Sequence, residues 1–389
     1  MSASVSQQVV AIELNEEHCS KCSICSSLCP FEAIRKEPET GKVILDIEKC
    51  QVCGLCYSTC PAHAISSVYY DIDSLTGYLK RAQQEYKSDT LIILCKGSTP
   101  DLTGVEELFG VSRFIPLFVP CVGRMPEEVL LKALTTGINK IHVLACDDDY
   151  CRFEKGSTVA GRKIVALNLL LEQLGYGKEA ISLKRNSLKV IVDRDKCIAC
   201  GTCVFYCPYH APKLESGAVS VDLDLCRGCG LCVALCPAFA LELENWERVR
   251  ISALISKLAA EMERPKVLVF RCQWAVLPPL EEEFSSNVRA IDLPCAARVD
   301  LVHILEALQN DINGVLIAAC PEEECNQEKK GSKEAQHSVM ALKNRLSQIG
   351  LEDRLHFCFV APRYPEVFTG ELRQFTEGIR AGYLKEGKK

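Results

Sequence analysis

Sixteen cysteines fall into four short runs whose spacing is that of a metal-cluster site. Each run has three cysteines at two-residue intervals, a fourth four positions later, and a proline directly after it. Three thiolates in a tight loop reach three corners of a cubane, so this spacing indicates a [4Fe–4S] cluster and electron-transfer chemistry. The runs begin at Cys19, Cys50, Cys197 and Cys226, and they predict four such clusters.

The runs come in two pairs, and each pair resembles a bacterial two-cluster ferredoxin. In such proteins the fourth cysteine of each run binds the other cluster. The resemblance therefore implies four ligand sets: Cys19, Cys22, Cys25 and Cys60; Cys50, Cys53, Cys56 and Cys29; Cys197, Cys200, Cys203 and Cys236; Cys226, Cys229, Cys232 and Cys207. Zinc is the alternative, because four-cysteine zinc sites also begin with C-x₂-C. Zinc sites use separated pairs, however, and not triplets that end in Cys-Pro.

Glycine follows the second cysteine in three of the runs, at Gly54, Gly201 and Gly230, whereas the first run has Ser23 there. A residue without Cβ is expected to let the backbone approach the cluster. Ser23 leaves the predicted cysteine ligands unchanged, but it is expected to alter the packing around the cluster or the reduction potential of the cluster.

Eight further cysteines form two sets that lie at the ends of predicted strands. In a parallel sheet these carboxyl ends share one edge, where α/β proteins bind their ligands. Four convergent thiolates hold either a [2Fe–2S] cluster or zinc, and the spacing alone does not choose between them. We expect the loops of this edge to face solvent and partner proteins. The two sets are Cys95, Cys121, Cys146 and Cys151, and Cys272, Cys295, Cys320 and Cys325.

All of these cysteines recur at an offset of 174–178 residues, which predicts an internal duplication. Strand-like segments precede the runs, at residues 8–14, 42–47, 188–193 and 218–223, and predict short hairpins. Strands alternating with helices follow each pair of runs. The predicted fold is therefore α+β ferredoxin-like two-cluster modules (1–70 and 189–243) alternating with α/β parallel-sheet modules of Rossmann-like or flavodoxin-like type (71–188 and 244–389). The second α/β copy adds a terminal helix around Phe368 to Tyr383, which the first copy lacks.

Composition narrows the class of protein. The net charge of −6, without a block of Lys and Arg, argues against nucleic acid or an anionic membrane as the main partner. The first eight residues show no export signal, and no apolar run approaches the roughly 18 residues of a membrane span. We therefore expect a cytoplasmic protein whose 25 cysteines mostly bind metal instead of forming disulfides. Cys358, the one left over, lies in the apolar run H-F-C-F-V and is predicted to be a core residue.

The sequence around the second kind of cysteine set carries a further resemblance. Pro-Cys-x-x-Arg, at Pro120 to Arg124 and Pro294 to Arg298, and the closing Ala-Cys-x₄-Cys resemble the delta iron–sulfur subunit of methyl-viologen-reducing, F420-non-reducing hydrogenases. The similarity extends over about residues 90–190 and 265–389. It implies a [2Fe–2S] cluster at each set. It also implies electron transfer between a hydrogenase or formate dehydrogenase and a heterodisulfide-reductase-like flavoprotein, in an anaerobe, with electron bifurcation and soluble ferredoxin among the expectations.

Residues beside the cysteines invite roles as well. Arg124 and Arg298 are predicted to bind the cofactor by hydrogen-bonding a ligand sulfur; the alternative is an ordinary salt bridge at a helix start. One acidic run lies between the last two cysteines of each of these two sets. It would dock a basic partner or lower the reduction potential of the cluster; the alternative is a solvated loop. Ser157 and Ser332 are interpreted as helix N-caps. The acidic runs are Asp147 to Asp149 and Glu322 to Glu324, and the predicted surface histidines are His18, His63 and His210.

No dinucleotide-binding or phosphate-binding glycine motif and no catalytic triad signature is visible, so we expect no bound flavin or nicotinamide. The favoured function is an electron-transfer subunit of a multisubunit oxidoreductase. One alternative is a reductase acting directly on substrate, which would want a ligand set lacking one cysteine. The other is a zinc-containing redox-responsive scaffold, which would want an exposed regulatory thiol.

Overall fold

The computed structural model describes residues 11–97, 102–275, 284 and 286–386. The chain forms two compact units: unit 1 is residues 1–187 with 362–364, and unit 2 is residues 188–361 with 365–389. The predicted absence of an export signal concerns residues outside the described ranges, as does the start of the predicted strand at residues 8–10. The finer division into four domains stays a prediction.

The cysteine-rich segment of unit 1, residues 11–70, is built from two small antiparallel ladders and two short helices. Strand β1 pairs with β4 and β2 pairs with β3, so only β2 and β3 form a local hairpin. Ile12, Ile34, Val43 and Ile65 supply one buried apolar side chain from each strand. The elements are β1 (Ile12–Leu14), α1 (Ile24–Leu28), β2 (Ile34–Lys36), β3 (Val43–Leu45), α2 (Leu55–Thr59) and β4 (Ile65–Ser67).

The rest of unit 1 is a four-stranded parallel sheet between helices. Its strand order is β6-β5-β7-β8, with every pair parallel. Central strand β5 is buried on both faces: Leu91 and Ile93 belong to one core, Ile92 and Leu94 to another. The elements are α3 (Ile72–Tyr86), β5 (Thr90–Cys95), α4 (Leu102–Phe109), β6 (Ile115–Val119), α5 (Glu127–Thr135), β7 (Lys140–Cys146), α6 (Gly156–Gln173) and β8 (Ile181–Asn186). The sequence analysis did not predict α4.

The cysteine-rich segment of unit 2, residues 189–243, has the same kind of construction. Strand β9 pairs antiparallel with β12, and β10 and β11 form a hairpin. Leu188, Val190, Val219, Leu241 and Leu243 form its core with several of the cysteines. The elements are β9 (Val190–Val192), α7 (Thr202–Tyr206), β10 (Pro212–Glu215), β11 (Ala218–Val221), α8 (Leu231–Ala234) and β12 (Leu241–Leu243).

A second parallel sheet completes unit 2, in the strand order β14-β13-β15-β16. Cys358, in β16, is buried, and the terminal helix around Phe368 is present. Both of these predictions are confirmed. The elements are α9 (Arg248–Glu261), β13 (Val267–Cys272), β14 (Val288–Leu293), α10 (Leu301–Gln309), β15 (Gly314–Ala319), α11 (Lys330–Leu346), β16 (Leu355–Phe359) and α12 (Pro365–Glu386). Within the described residues, no helix combines the length and apolar character needed to cross a bilayer.

Candidate iron–sulfur cluster sites

In each unit the first cysteine run closes around a small cavity together with one cysteine of the second run. Both cavities are small, with room for about one water molecule. Their other lining residues are almost all apolar or small. We call these cysteines the outer sets: Cys19, Cys22, Cys25 and Cys60 in unit 1, and Cys197, Cys200, Cys203 and Cys236 in unit 2.

The remaining cysteines of each pair of runs come together more deeply, and we call them the inner sets. Burial, together with the nearby thiols of Cys50 and Cys29, raises the pKa of Cys53 to about 12. Cys229 behaves in the same way, with Cys226 and Cys207 as its neighbours. The inner sets are Cys50, Cys53, Cys56 and Cys29, and Cys226, Cys229, Cys232 and Cys207.

Outer and inner sets adjoin one another in both units. Burial raises the pKa of Cys56 well above its usual value, and Cys25 of the outer set adds to the effect of the inner thiols. In unit 2, burial raises the pKa of Cys232 in the same way, and Cys203 of the outer set adds to the effect. The outer sets also include the two most exposed of these cysteines, Cys22 and Cys200. Each unit therefore has one cysteine set at the surface and a second directly behind it.

Backbone N–H groups point at several of these sulfurs. Val52 N–H donates to Cys50 Sγ and Ala64 N–H to Cys60 Sγ, each over 3.4 Å. In unit 2 the N–H of Ala240 donates to Cys236 Sγ over 3.3 Å. Hydrogen bonds to cysteine sulfur favour the thiolate and help set the potential of a cluster. The donor sets thus suit a cationic cluster, which would offset the cost of buried thiolates.

The glycines beside the second cysteines have a reason that the sequence analysis did not anticipate. Gly54, Gly201 and Gly230 have φ between 76° and 79°, in the left-handed region where a Cβ is unfavourable. A Cβ on Gly54 would also come within 2.9 Å of Arg124 Cβ, and one on Gly230 within 2.4 Å of Arg298 Cδ. Ser23 holds the same conformation with φ 67°, so the first run carries some backbone strain.

The third group of cysteines lies at the carboxyl edge of each parallel sheet, and we call these the sheet sets. Cys95 and Cys146 end the adjacent strands β5 and β7, and Cys121 follows β6, so the topology brings them together. Cys95 Sγ lies 3.4 Å from Cys146 Sγ, and Cys151 is hydrogen-bonded to Cys121 and Cys146. In unit 2, Cys272 and Cys320 are 4.0 Å apart, Cys295 contacts Cys272, and Cys325 contacts Cys320. In the described part of the chain, no three His, Cys, Asp or Glu residues meet closely enough to hold one ion.

A glycine at the start of the following helix makes room for these sulfurs. A Cβ on Gly156 would lie 2.3 Å from Cys121 Sγ and 3.2 Å from Cys151 Sγ. A Cβ on Gly331 would lie 2.8 Å from Cys295 Sγ and 3.1 Å from Cys325 Sγ. Sequence reasoning missed both residues, although the repeated Gly-Ser pair five or six residues after the last cysteine was a usable signal.

Ser157 and Ser332 are not N-caps, and that prediction is wrong. Helices α6 and α11 begin one and two residues earlier, after Lys155 and Lys329. Ser157 is buried and donates its hydroxyl to the carbonyl oxygen of Cys146 over 2.6 Å. Ser332 is also buried, and its N–H donates to Cys325 Sγ over 3.4 Å. Both serines therefore serve the cysteine loops instead of the helix ends.

The acidic loops of this edge reach solvent, but the cysteines of the sheet sets largely do not. Cys121 and Cys295 are each 1% exposed, and Cys151 is the only member that is not buried. In unit 1 the cysteine-rich segment covers this edge, because Leu55 packs against Gly123. In each unit the inner set lies near the sheet set. The thiol of Cys53 interacts electrostatically with that of Cys121 in unit 1, and the thiol of Cys229 with that of Cys295 in unit 2.

Arg124 and Arg298 are fully buried between the inner and sheet sets. Arg124 donates to the carbonyls of Val52 and Tyr69 and to the hydroxyl of Ser67. Arg298 donates to the carbonyl of Trp246 and lies 3.8 Å from Glu242. Among the described residues neither arginine donates to a sulfur, and neither stands at the start of an α-helix.

The other predicted surface features lie where the sequence placed them. His18, His63 and His210 are exposed. The acidic runs form short 3₁₀ turns, Asp148–Tyr150 and Glu322–Glu324, whose side chains are exposed or half-buried. Asp148 accepts from Thr158 and lies 3.5 Å from Arg185, so part of this charge is used locally.

Comparison with known families agrees with this geometry. The model of the methyl-viologen-reducing hydrogenase delta subunit matches residues 92–193 and 267–382, more than half of the chain. The chain belongs to this family. Two 4Fe-4S dicluster domains match residues 18–65 and 189–237, the regions of the outer and inner sets.

Characterised relatives fall into two groups. The A subunit of the ferredoxin/F420H2-dependent CoB-CoM heterodisulfide reductase of Methanosarcina acetivorans is 36% identical over 218 residues, which is 54% of this chain and 27% of that protein. Its counterpart in the ferredoxin:CoB-CoM heterodisulfide reductase of Methanosarcina mazei is 34% identical over the same shares. The chain thus spans about a quarter of the length of these two relatives.

The second group consists of shorter proteins, the iron-sulfur D subunits of F420-non-reducing hydrogenases. The iron-sulfur D subunit of the F420-non-reducing hydrogenase of Archaeoglobus profundus is 24% identical over 128 residues, 31% of this chain and 93% of that protein. With the dicluster domains, these relatives make the chain an iron–sulfur electron-transfer protein related to the heterodisulfide reductase A subunit and to the hydrogenase D subunit.

Proposed function

We propose that each unit holds two [4Fe–4S] clusters, at its outer and inner sets, and one [2Fe–2S] cluster at its sheet set. The single observation that carries this is the grouping of 24 cysteines into six sets of four, two of them around cavities. Each cluster, when bound, would accept and release electrons. Burial raises the pKa of Cys53 and Cys229, so these thiols would lose their protons on binding a cationic cluster and not to water alone.

The three sets of a unit form a series from the surface inward. Cys22 and Cys200 leave an outer set accessible, whereas the sheet sets are covered. In unit 1, Leu55, two residues after Cys53 of the inner set, packs against Gly123, two residues after Cys121 of the sheet set. We therefore infer that partner proteins exchange electrons at the outer sets, and that the sheet sets are internal stations. The sequence analysis instead expected partner proteins at the sheet edge.

The partners follow from the relatives. We propose that the chain links a hydrogenase or formate dehydrogenase to a heterodisulfide-reductase-like flavoprotein, with soluble ferredoxin as a further donor or acceptor. The names of the relatives support this, since they include both a hydrogenase iron-sulfur protein and a component of heterodisulfide reductase. Bifurcation would take place on the flavoprotein, because we expect no flavin on this chain. The number of thiols favours a reducing, cytoplasmic location.

We also infer that the chain arose by duplication of a unit made of one dicluster module and one α/β module, with boundaries at 1–70, 71–188, 189–243 and 244–389. The equal strand orders of the two sheets support this, as do the matched positions of the cysteine sets and buried arginines.

The rate at which an external donor reduces the chain tests where electrons enter it. The anaerobically purified chain is mixed with reduced ferredoxin, or with hydrogen and a hydrogenase, and its reduction is followed by absorbance and EPR. The double variant Cys22→Ser/Cys200→Ser is expected to be reduced at least tenfold more slowly while the inner and sheet clusters remain visible. Cys358→Ala, at a buried cysteine outside the six sets, is the control. An unchanged rate in the double variant would rule out the outer sets as the point of exchange.

A further inference from the structure

The guanidinium of Arg124 lies between two cysteine sets of unit 1. Its side chain packs on Gly54, directly after Cys53 of the inner set, and Arg124 itself is three residues after Cys121 of the sheet set. Burial lowers the pKa of Arg124, while facing groups, Cys53 and Cys121 among them, raise it. An arginine remains protonated at neutral pH even so, so a positive charge is fixed at this place.

This charge has only neutral hydrogen-bond partners. The acceptors of Arg124 are two carbonyl oxygens and the hydroxyl of Ser67, and its Nε has no partner among the described residues. No carboxylate of the described residues lies within salt-bridge distance of it. The guanidinium carbon of Arg124 also lies 4.8 Å from the centre of the Tyr70 ring, a cation–π contact that offsets part of the cost of burying the charge. The ring is no counter-ion, so something else must compensate the rest. The anionic thiolates of a loaded cluster on either side are the nearest candidates.

Arg298 holds the equivalent place in unit 2, but its surroundings carry charge. Glu242 lies 3.8 Å from it, and Arg248 binds both Glu242 and Asp300, at 2.9 and 2.7 Å. Burial and the repulsion of Arg248 lower the pKa of Arg298 to about 10, while Glu242 and Asp300 act in the opposite direction. Two arginines and two carboxylates meet here, so this group has no net charge.

The corresponding positions of unit 1 are all uncharged. Ser66 stands at the centre of β4, as Glu242 does in β12. Pro126 precedes α5, as Asp300 precedes α10, and Ile72 opens α3, as Arg248 opens α9. Among the described residues, unit 1 thus keeps one buried positive charge without a carboxylate partner, whereas the charges of unit 2 are balanced.

We propose that this difference sets the direction of electron flow, the inner and sheet clusters of unit 1 having higher reduction potentials than their counterparts in unit 2. The inference rests on the proposed clusters. Reduction adds negative charge to a cluster, and a buried cation nearby stabilises the reduced form, strongly so where water is excluded. In unit 2, Glu242 and Asp300 cancel that effect. Electrons shared by the chain at equilibrium would then reside mainly on unit 1.

The experiment is an anaerobic, EPR-monitored redox titration of the full chain, after iron and sulfide analysis has shown the clusters to be present. Arg124→Gln is expected to lower the potentials of two clusters in unit 1. The ratio of reduced to oxidised cluster at a fixed potential should fall at least tenfold, which is about 59 mV for one electron. Arg124→Lys retains the positive charge, so the reduction potentials of these two clusters should stay close to those of the natural chain. Arg298→Gln, the matched variant, should shift unit 2 in the same direction.

A pair of exchanges tests the asymmetry itself. Ser66→Glu gives unit 1 the carboxylate of unit 2 and should lower its potentials, while Glu242→Gln should raise those of unit 2. Should Arg124→Gln fail to bind iron, these two variants decide: opposite shifts support the proposal, and no shift in either overturns it. A fully loaded Arg124→Gln chain with unchanged potentials also overturns it. A wild-type chain without iron and sulfide would refute the proposed function, a result distinct from any shift in potential.

Discussion

Gly123 packs so closely against Gly156 that a Cβ on Gly123 would lie 2.5 Å from the Gly156 carbonyl oxygen and 2.6 Å from Leu55 Cδ2. Gly123 belongs to the turn after Cys121, Gly156 opens α6, and Leu55 opens α2. Three segments distant in sequence therefore meet at one point beside the sheet set of unit 1.

Gly123→Ala is expected to destabilise unit 1 by about 1–3 kcal/mol, because backbone atoms on one side leave the new methyl group no room. Native-state hydrogen exchange of β5 and β7 amides measures this. Gly77→Ala is the control, since its Cβ would meet Arg81 only at an ordinary 3.5 Å. Equal protection in the two variants would mean that the turn can shift without cost.

Iron and acid-labile sulfide analysis is expected to give about 20 iron atoms per chain, from four cubanes and two [2Fe–2S] clusters. The chain should be purified without oxygen, and Cys358→Ala should contain the same amount. About 16 iron atoms with stoichiometric zinc would show that the sheet sets hold zinc instead.

Paired cysteine variants should reveal which cysteines share a cluster. Cys60→Ser is expected to impair the cluster of the outer set, so adding Cys22→Ser should cause little further loss of iron. Adding Cys53→Ser instead should cost about four more iron atoms, since a second cluster is then impaired. The reverse pattern, in which Cys60 and Cys53 act together, would show that each run binds its own cluster.

Unit 2 should lose stability in mild acid because of His303. Burial, followed by the charge of Arg298, lowers the pKa of this fully buried residue from 6.5 to about 4. The unfolded chain then binds a proton that the folded chain does not, so stability falls as the pH drops from 6.5 towards 4. Between pH 7.5 and 5.5 the loss should be about 1 kcal/mol.

Hydrogen exchange of β13 and β15 amides, corrected for the intrinsic effect of pH, measures this loss. The variant for comparison is His303→Val, because Val129 stands at the same position of the equivalent helix α5. This variant should show a flatter pH dependence than the natural chain. Equal slopes would mean that protonated His303 finds a hydrogen-bond acceptor in the folded protein, or reaches water, and titrates as it does in the unfolded chain.

The sequence predicted the elements around the site because cysteine spacing and apolar runs are local signals. The ends of β5 and β7 at Cys95 and Cys146 follow from those runs alone. The packing of Leu55 on Gly123, which helps to cover the sheet set of unit 1, does not follow from them, because it joins segments far apart in the chain. The role of Ser157 was missed for a similar cause, since its acceptor, the Cys146 carbonyl, lies eleven residues away.

The arginines show the same limit in another way. Pro-Cys-x-x-Arg drew attention to Arg124 and Arg298, but their partners come from the cysteine-rich segments, and a motif contains no information on those. The charge difference between the units was nevertheless visible in the sequence. Aligning the halves would have set Glu242 against Ser66 and Asp300 against Pro126.

The sharing of cysteines between the two runs of a unit has a consequence for synthesis. The cavity of unit 1 is lined by Cys19, Cys22 and Cys25 of the first run, but its fourth cysteine, Cys60, is the last cysteine of the second run. A ribosome must therefore translate both runs before the first site has all its thiols. The inner set is complete only at Cys56 and the outer set only at Cys60, so both sets of the segment are completed almost together, at the end of its second run.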